Sequence, residues 1–151
     1  MKLARESHSK FEKFFREIFE DGQFQMPEIY IYAGRFSRIL TFVLKIHGIT
    51  IGRNIFITPK FVSLGENDLL KLHVELAAHE ITHVLQYRRL GFIKFFYKYF
   101  RDFARNLRRE GSLNAASRRQ AYLEIPFEIE ARETAARFVE WNGEKWKMKN
   151  G

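Results

Sequence analysis

The residues best suited to chemistry lie in one pentapeptide, His79-Glu80-Ile81-Thr82-His83. In an α-helix, side chains four residues apart share one face, so the two imidazoles would stand one above the other. Two neutral histidines at this spacing can bind one tetrahedral Zn²⁺, and the glutamate between them can act as a general base on a water that the metal activates. Helices with His and Glu also occur as ordinary solvated faces, but this one uses two of the chain's five histidines. The pentapeptide therefore predicts a zinc site.

The neighbouring residues predict the helix that must carry this site. The helix is expected to run from near Leu72 to Arg88 or Arg89, with Gly91 as its C-terminal stop. Its apolar positions place the histidines in a core element rather than in a tail; they are Val74, Leu76, Ala77, Ala78, Ile81, Val84 and Leu85. His73 would lie on another face, so we interpret it as structural.

A third zinc ligand must come from elsewhere in the chain, because a catalytic zinc site has three protein ligands and one open position. The chain has no cysteine, and no histidine follows His83, so this ligand must be a carboxylate. In a helix predicted from Pro126 to about Trp141, Glu128 falls on the apolar face, whereas Glu130 lies roughly 110° from its centre. A carboxylate facing the core is costly unless it is paired or binds a metal. Glu128 is therefore the first candidate and Glu130 the reserve, although Glu128 could also simply meet the helix dipole.

These residues resemble the gluzincins, zincin metallopeptidases that combine HExxH with a glutamate on a second helix. Residues 79–83 match the first motif, and Glu128-Ile129-Glu130-Ala131 matches the second, an ExxA pattern. The similarity is closest to the minimal soluble members and covers roughly residues 28–141 in element order. It implies a small α+β domain over residues 1–151, in which a short mixed or antiparallel sheet lies over the HExxH helix and the glutamate helix packs beside it. Many gluzincins place an aspartate directly after the alanine, where this chain has Arg132.

The function expected from these residues is zinc-dependent hydrolysis of a peptide or protein substrate. His79, His83 and Glu128 would bind Zn²⁺, and Glu80 would be the general base. Tyr122 is the first candidate for the donor that stabilises the oxyanion, and Tyr87 is the other. The alternative is a catalytically latent or degenerate module that binds zinc or peptide, with residues 142–151 as a tail able to occupy the cleft.

Other segments have patterns of their own. Residues 1–22 predict an N-terminal amphipathic helix, and residues 28–33 and 48–58 predict one strand each, the second at the edge of the cleft where an extended peptide could pair with it. A short helix is expected near residues 36–44, with His47 in a turn or on the surface. Residues 105–120 are polar and arginine-rich and predict a mobile basic loop.

The segment from Phe92 to Arg108 predicts a basic amphipathic helix, with aromatic residues on one side and lysines and arginines on the other. Such a helix usually packs on the core with its charges in water. The alternative is a helix at the surface of an anionic membrane, which would make the chain a membrane-surface accessory protein. Nucleic-acid binding is not expected, because the aromatic and basic residues are segregated rather than interleaved.

Length and composition limit the remaining possibilities. With 151 residues, 46% of them hydrophobic, the chain is long enough for one domain with a real core. The net charge of +8 favours anionic partners. The charged first twenty residues contain no signal sequence, so we expect a cytoplasmic protein, possibly peripheral to a membrane. The oligomeric state stays open.

Overall fold

A computed structural model describes residues 2–35, 37–38, 48–58, 62–64, 70–72 and 74–150, and for 62–64, 70–72 and 144–150 it describes the backbone alone. Within these ranges the chain is a small α+β protein, as predicted, with five helices and five strands. The helices are α1 (Arg5–Phe19), α2 (Val74–Leu90), α3 (Phe92–Glu110), α4 (Ala115–Leu123) and α5 (Pro126–Asn150). The strands are β1 (Tyr30–Tyr32), β2 (Gly48–Ile51), β3 (Asn54–Ile57), β4 (Val62–Leu64) and β5 (Leu70–Leu72).

The larger sheet has three strands in the order β1-β3-β2, with β1 parallel and β2 antiparallel to the central β3. The predicted single strand over residues 48–58 is therefore wrong, since this segment forms a hairpin. Gly52 adopts a φ of 62°, a left-handed value that glycine adopts readily, and it turns the chain together with Arg53. β4 and β5 form a second, antiparallel pair.

The hairpin changes which side chains share a face. Thr50 is paired with Ile55 across the strands, and both are buried. Ile49 is paired instead with Phe56 and is only partly buried. In a continuous strand the isoleucines of β2 and β3 would share one face, but in the hairpin they lie on opposite faces. The buried face of β2 therefore carries Thr50, which faces the candidate site.

The main core lies between the sheet, α1, α2 and α5. The predicted N-terminal amphipathic helix is confirmed as α1, whose Phe11 stacks on Phe138 of α5 with ring centroids 4.3 Å apart. α2 and α5 pack closely through buried alanines, because a small side chain lets two helix backbones approach. On α5 the buried alanines beside the contact are Ala131 and Ala135, about one and two turns beyond Glu128 on the same face.

Two boundary predictions are wrong. The predicted basic loop at residues 105–120 is mostly helical, since α3 continues to Glu110 and α4 begins at Ala115. Gly111 ends α3 with a φ of 66°, and the side chain of Asn114 caps α4 by accepting a hydrogen bond from the Ser117 amide at 2.8 Å. Of the predicted tail at residues 142–151, residues 142–150 are not a separate segment, because the backbone of α5 stays helical through Asn150, and residue 151 lies outside the described residues.

The helix predicted near residues 36–44 falls largely outside the described residues, and so do His47 and His73. Among the helices that are described, none is both long enough and apolar enough to cross a bilayer.

Candidate metal centre

α2 and α5 bring the three predicted metal ligands together at one point. The Nε2 atoms of His79 and His83 lie 3.2 Å apart. Oε2 of Glu128 lies 3.2 Å from His79 Nε2, and its Oε1 lies 3.4 Å from His83 Nε2. His83 and Glu128 are 45 positions apart in the sequence, so it is the packing of the two helices that makes this cluster. The cluster could hold a metal ion.

The distances fit a tetrahedral cation. With metal–ligand bonds of 2.0–2.1 Å, neighbouring ligands of a tetrahedral Zn²⁺ stand about 3.3 Å apart. The Nε2–Nε2 separation of 3.2 Å lies near that value, and so do the contacts of His79 with Oε2 of Glu128 and of His83 with Oε1, at 3.2 and 3.4 Å. Two imidazoles and one carboxylate leave one tetrahedral position for a further ligand, and His79, whose side chain is 17% exposed, is the ligand with most access to solvent.

Gln86 holds the ring of His83 in the form that metal binding requires. Nδ1 of His83 donates to Oε1 of Gln86 at 2.8 Å, so in the neutral ring Nε2 keeps its lone pair. The amide nitrogen of Gln86 donates in turn to the carbonyl of Phe127 and to Oε2 of Glu130, both at 3.0 Å. These bonds orient the Gln86 side chain and connect α2 to the start of α5. This role of Gln86 was missed, although its position three residues after His83 on a core helix was a usable signal.

Two tyrosines donate to the carboxylate of Glu128. Tyr99 of α3 donates to Oε1 at 2.8 Å, and Tyr122 of α4 donates to Oε2 at 2.7 Å. Burial raises the pKa of both hydroxyls, and the charge of Glu128 raises it further, so both stay protonated donors. Tyr122 was a predicted site residue, and the structure brings it to the cluster. Tyr99 was missed, although it carries a hydroxyl on the core-facing side of α3, one turn from the buried Phe95.

The titration of the cluster follows from its geometry. Burial alone would raise the pKa of Glu128, but hydrogen bonds with His79, His83 and Tyr122 outweigh it and hold that pKa far below its usual range. Burial alone would lower the pKa of His83, but the hydrogen bond and charge of Glu128 outweigh it, and the pKa is raised. The carboxylate is therefore ionised, and it attracts positive charge to the site.

Glu80 lies on α2 between the two histidines in sequence, and its side chain contacts β2. Its side chain is buried, and Oε2 accepts a hydrogen bond from Oγ1 of Thr50 at 2.7 Å. Gly48 lies beside the other oxygen, and a Cβ built on that glycine would stand 2.6 Å from Oε1 of Glu80. The buried face of β2 thus positions the predicted general base. Thr50 donates a hydrogen bond to it, and Gly48 leaves room for it because it has no side chain.

The remaining candidates have other partners. Glu130 forms a two-pronged ion pair with Arg89, at 3.0 and 2.9 Å, and does not belong to the cluster. Tyr87 donates to the carbonyl of Thr50 at 3.2 Å. Arg132, which stands where many gluzincins have an aspartate, donates to the carbonyl of Leu123. Of the two carboxylates considered as the third ligand, the structure therefore brings Glu128 to the histidines.

A scan of the chain against protein-family models found no match, and neither did searches among curated proteins and among solved structures.

Proposed function

We propose that this protein is a zinc-dependent peptidase of the gluzincin type, with His79, His83 and Glu128 as metal ligands. The observation that carries the proposal is the convergence of three ligand groups. The two Nε2 atoms lie 3.2 Å apart, and each has one oxygen of Glu128 at 3.2 or 3.4 Å, distances close to the edge of a tetrahedral zinc site. A bound Zn²⁺ would lower the pKa of a water ligand and polarise a substrate carbonyl.

Glu80 is proposed as the general base. Its carboxylate takes a proton from the water that attacks the scissile carbonyl carbon, and passes that proton to the leaving amine as the C–N bond breaks. The hydrogen bond from Oγ1 of Thr50 holds the Glu80 carboxylate in a fixed position.

Two further parts of the site are assigned to substrate. Tyr122 and Tyr99 are both candidates to stabilise the developing oxyanion, and either would have to turn its one hydroxyl proton from Glu128 to the substrate. Among the described strands, β2 is at one edge of its sheet and directly faces Glu80. An extended peptide could pair with the backbone of β2 by adding a strand to this edge.

A second candidate is a metal centre without catalytic activity, and the enclosure of the site favours it. Glu80 and Glu128 are each 3% exposed. Two cavities of about 430 Å³ lie elsewhere, one beside Tyr87 and Phe92 and the other beside Leu107 and Leu113, and none of the three ligands lines either of them. A site with this little access would hold a metal to support α2 and α5.

Two variants distinguish these functions. His79→Ala is expected to abolish stoichiometric zinc binding, measured by metal analysis after dialysis. Glu80→Gln keeps the three ligands, so it should retain zinc while losing cleavage of an unfolded protein or a broad peptide library by a factor of at least about 100. A Glu80→Gln protein as active as the wild type would refute the peptidase mechanism. A wild type that binds one zinc but cleaves none of these substrates would favour the non-catalytic centre.

A further inference from the structure

α3 has three faces, whereas a helix at the surface of a small domain usually has two. The first face packs on the protein and contains the buried residues Phe95, Asp102 and Asn106. At about 100° per residue, the rest of the helix divides into one apolar arc and one basic arc, and both of them face solvent.

The apolar arc leaves large side chains uncovered. Ile93 is 83% exposed, Tyr97 67% and Phe100 62%, and they lie at positions i, i+4 and i+7 of the same helix. Leu113, just beyond the end of α3, is 73% exposed. Single exposed apolar residues are common on protein surfaces, but a continuous stripe indicates a contact surface.

The basic arc lies directly beside this stripe and consists of Lys94, Lys98, Arg101, Arg105 and Arg108, all of them exposed. Asp102 pairs with Arg101 at 2.8 Å and with Arg105 at 3.0 Å. Among the side chains that are described, the other three cations of the arc have no carboxylate within ion-pair distance. The arc therefore keeps a net positive charge, in a chain whose overall charge is +8.

We propose that α3 binds the surface of a bilayer that contains anionic phospholipid. Ile93, Tyr97 and Phe100 enter the boundary between headgroups and acyl chains, and the basic arc contacts the anionic headgroups. The proposal does not depend on the proposed peptidase activity, since it concerns the outer side of α3, while Tyr99 on the inner side contacts Glu128.

The charge of the arc favours lipid over other occupants. A symmetric contact between two copies through the apolar stripe would bring two basic arcs close together, and like charges repel. Nucleic acid would neutralise the arc but would leave the apolar stripe in water. An anionic bilayer can contact the basic arc with its headgroups and the apolar stripe with its acyl chains at the same time.

Flotation of the full-length protein with vesicles tests the proposal. The protein should float with vesicles of phosphatidylcholine that contain 30% phosphatidylserine, and should not float with phosphatidylcholine alone. Raising the salt concentration should weaken the binding. Lys94→Gln/Lys98→Gln is expected to lower the partition coefficient on the order of tenfold or more, because each cation near an anionic surface contributes to binding. Ile93→Ser should lower it by a similar factor.

Matched controls remove the same groups from other helices. Lys10→Gln/Lys13→Gln takes two exposed lysines from α1, and Val139→Ser replaces an apolar residue of α5 that is 44% exposed. Both controls should float like the wild type. The proposal fails if the wild type does not bind the anionic vesicles, if it binds neutral vesicles equally well, or if the control lysine variant loses as much binding as the α3 variant. It also fails if the wild type forms a dimer in solution that Ile93→Ser dissociates and the dimer does not bind vesicles.

Discussion

The inner and outer sides of α3 treat polar and apolar groups in opposite ways. On the inner side, Tyr99 and Asn106 bring polar groups to the protein interior, and each has a partner, Glu128 for the hydroxyl and the carbonyl of Ala121 for the amide. On the outer side, Ile93, Tyr97 and Phe100 leave large apolar surfaces in water. A buried polar group destabilises the folded state unless it has a hydrogen-bond partner. A stripe of exposed apolar side chains gives the folded state no stability, and such stripes mark contact surfaces. In a simple amphipathic helix the inner side is apolar and the outer side is polar. Here the inner side carries polar groups to a buried site, and the outer side presents apolar groups to an external surface.

The largest expected effect is the loss of stability when the metal is removed, which should depend on the buried site and not on the outer side of α3. Zinc at about 1,000 times its Kd should stabilise the folded state by about 4 kcal/mol, which for a domain of this size raises Tm by about 10 °C. His83→Ala should lose this increase completely, because two ligands remain. Ile93→Ser should keep it. Thermal unfolding monitored by circular dichroism, with zinc and with a chelator, measures the shift, and an equal loss in both variants would remove the distinction between the two sides.

The second test concerns the partner of His83. In Gln86→Leu the Nδ1 atom of His83 loses its acceptor, and loss of such a partner lowers metal affinity by a factor of about 10–100. Gln120→Leu, at an exposed position on α4, is the matched control and should bind zinc like the wild type. Competition with a chromogenic chelator gives the affinities. Unchanged affinity in Gln86→Leu would mean that the hydrogen bond to Gln86 does not orient the ligand.

The third test separates the general base from the metal. In Gly48→Ala the new methyl group would stand 2.6 Å from Oε1 of Glu80, so the carboxylate must move away from its position beside Thr50. If the protein is a peptidase, kcat should fall by roughly tenfold or more, while zinc affinity stays the same because none of the ligands is touched. Gly22→Ala is the control, since a Cβ there meets no atom within 4 Å. Full activity in Gly48→Ala would argue against a fixed position for Glu80.

Residue patterns within single helices made much of this site predictable. The spacing of His79 and His83 and the position of Glu128 on the apolar face of its helix identified three candidate ligands, and the structure brings all three together. The periodicity of α1, α2 and α3 was also strong enough to identify them as helices. In each case the deciding information lay within one turn or two of the same element.

The misses depend on contacts between elements or on backbone conformation. The role of Tyr99 arises where α3 crosses the start of α5, which no pattern within α3 contains. The turn at Gly52 was missed because the isoleucines on both sides of it continue the alternation of one strand, and only the positive φ reverses the chain. In residues 105–120 the polar composition suggested a loop, but Gly111 and Asn114 act there as helix caps. Polar helices with good caps are difficult to distinguish from loops by composition.

The smallest expected effect compares two tyrosines of α3, one on each side. Tyr99→Phe removes a hydrogen bond to the ionised carboxylate of Glu128, and in the metal-free protein this should lower the free energy of unfolding by about 1 kcal/mol or slightly more. Tyr97→Phe removes a hydroxyl from a side chain that is 67% exposed, so its effect should stay within about 0.5 kcal/mol. Urea unfolding of both variants measures the difference, and Tyr97→Phe should still float with anionic vesicles because its ring remains. Equal stabilities would indicate that the Tyr99 hydroxyl exchanges its bond to Glu128 for water at no cost, and the inner side of α3 would then contribute packing alone.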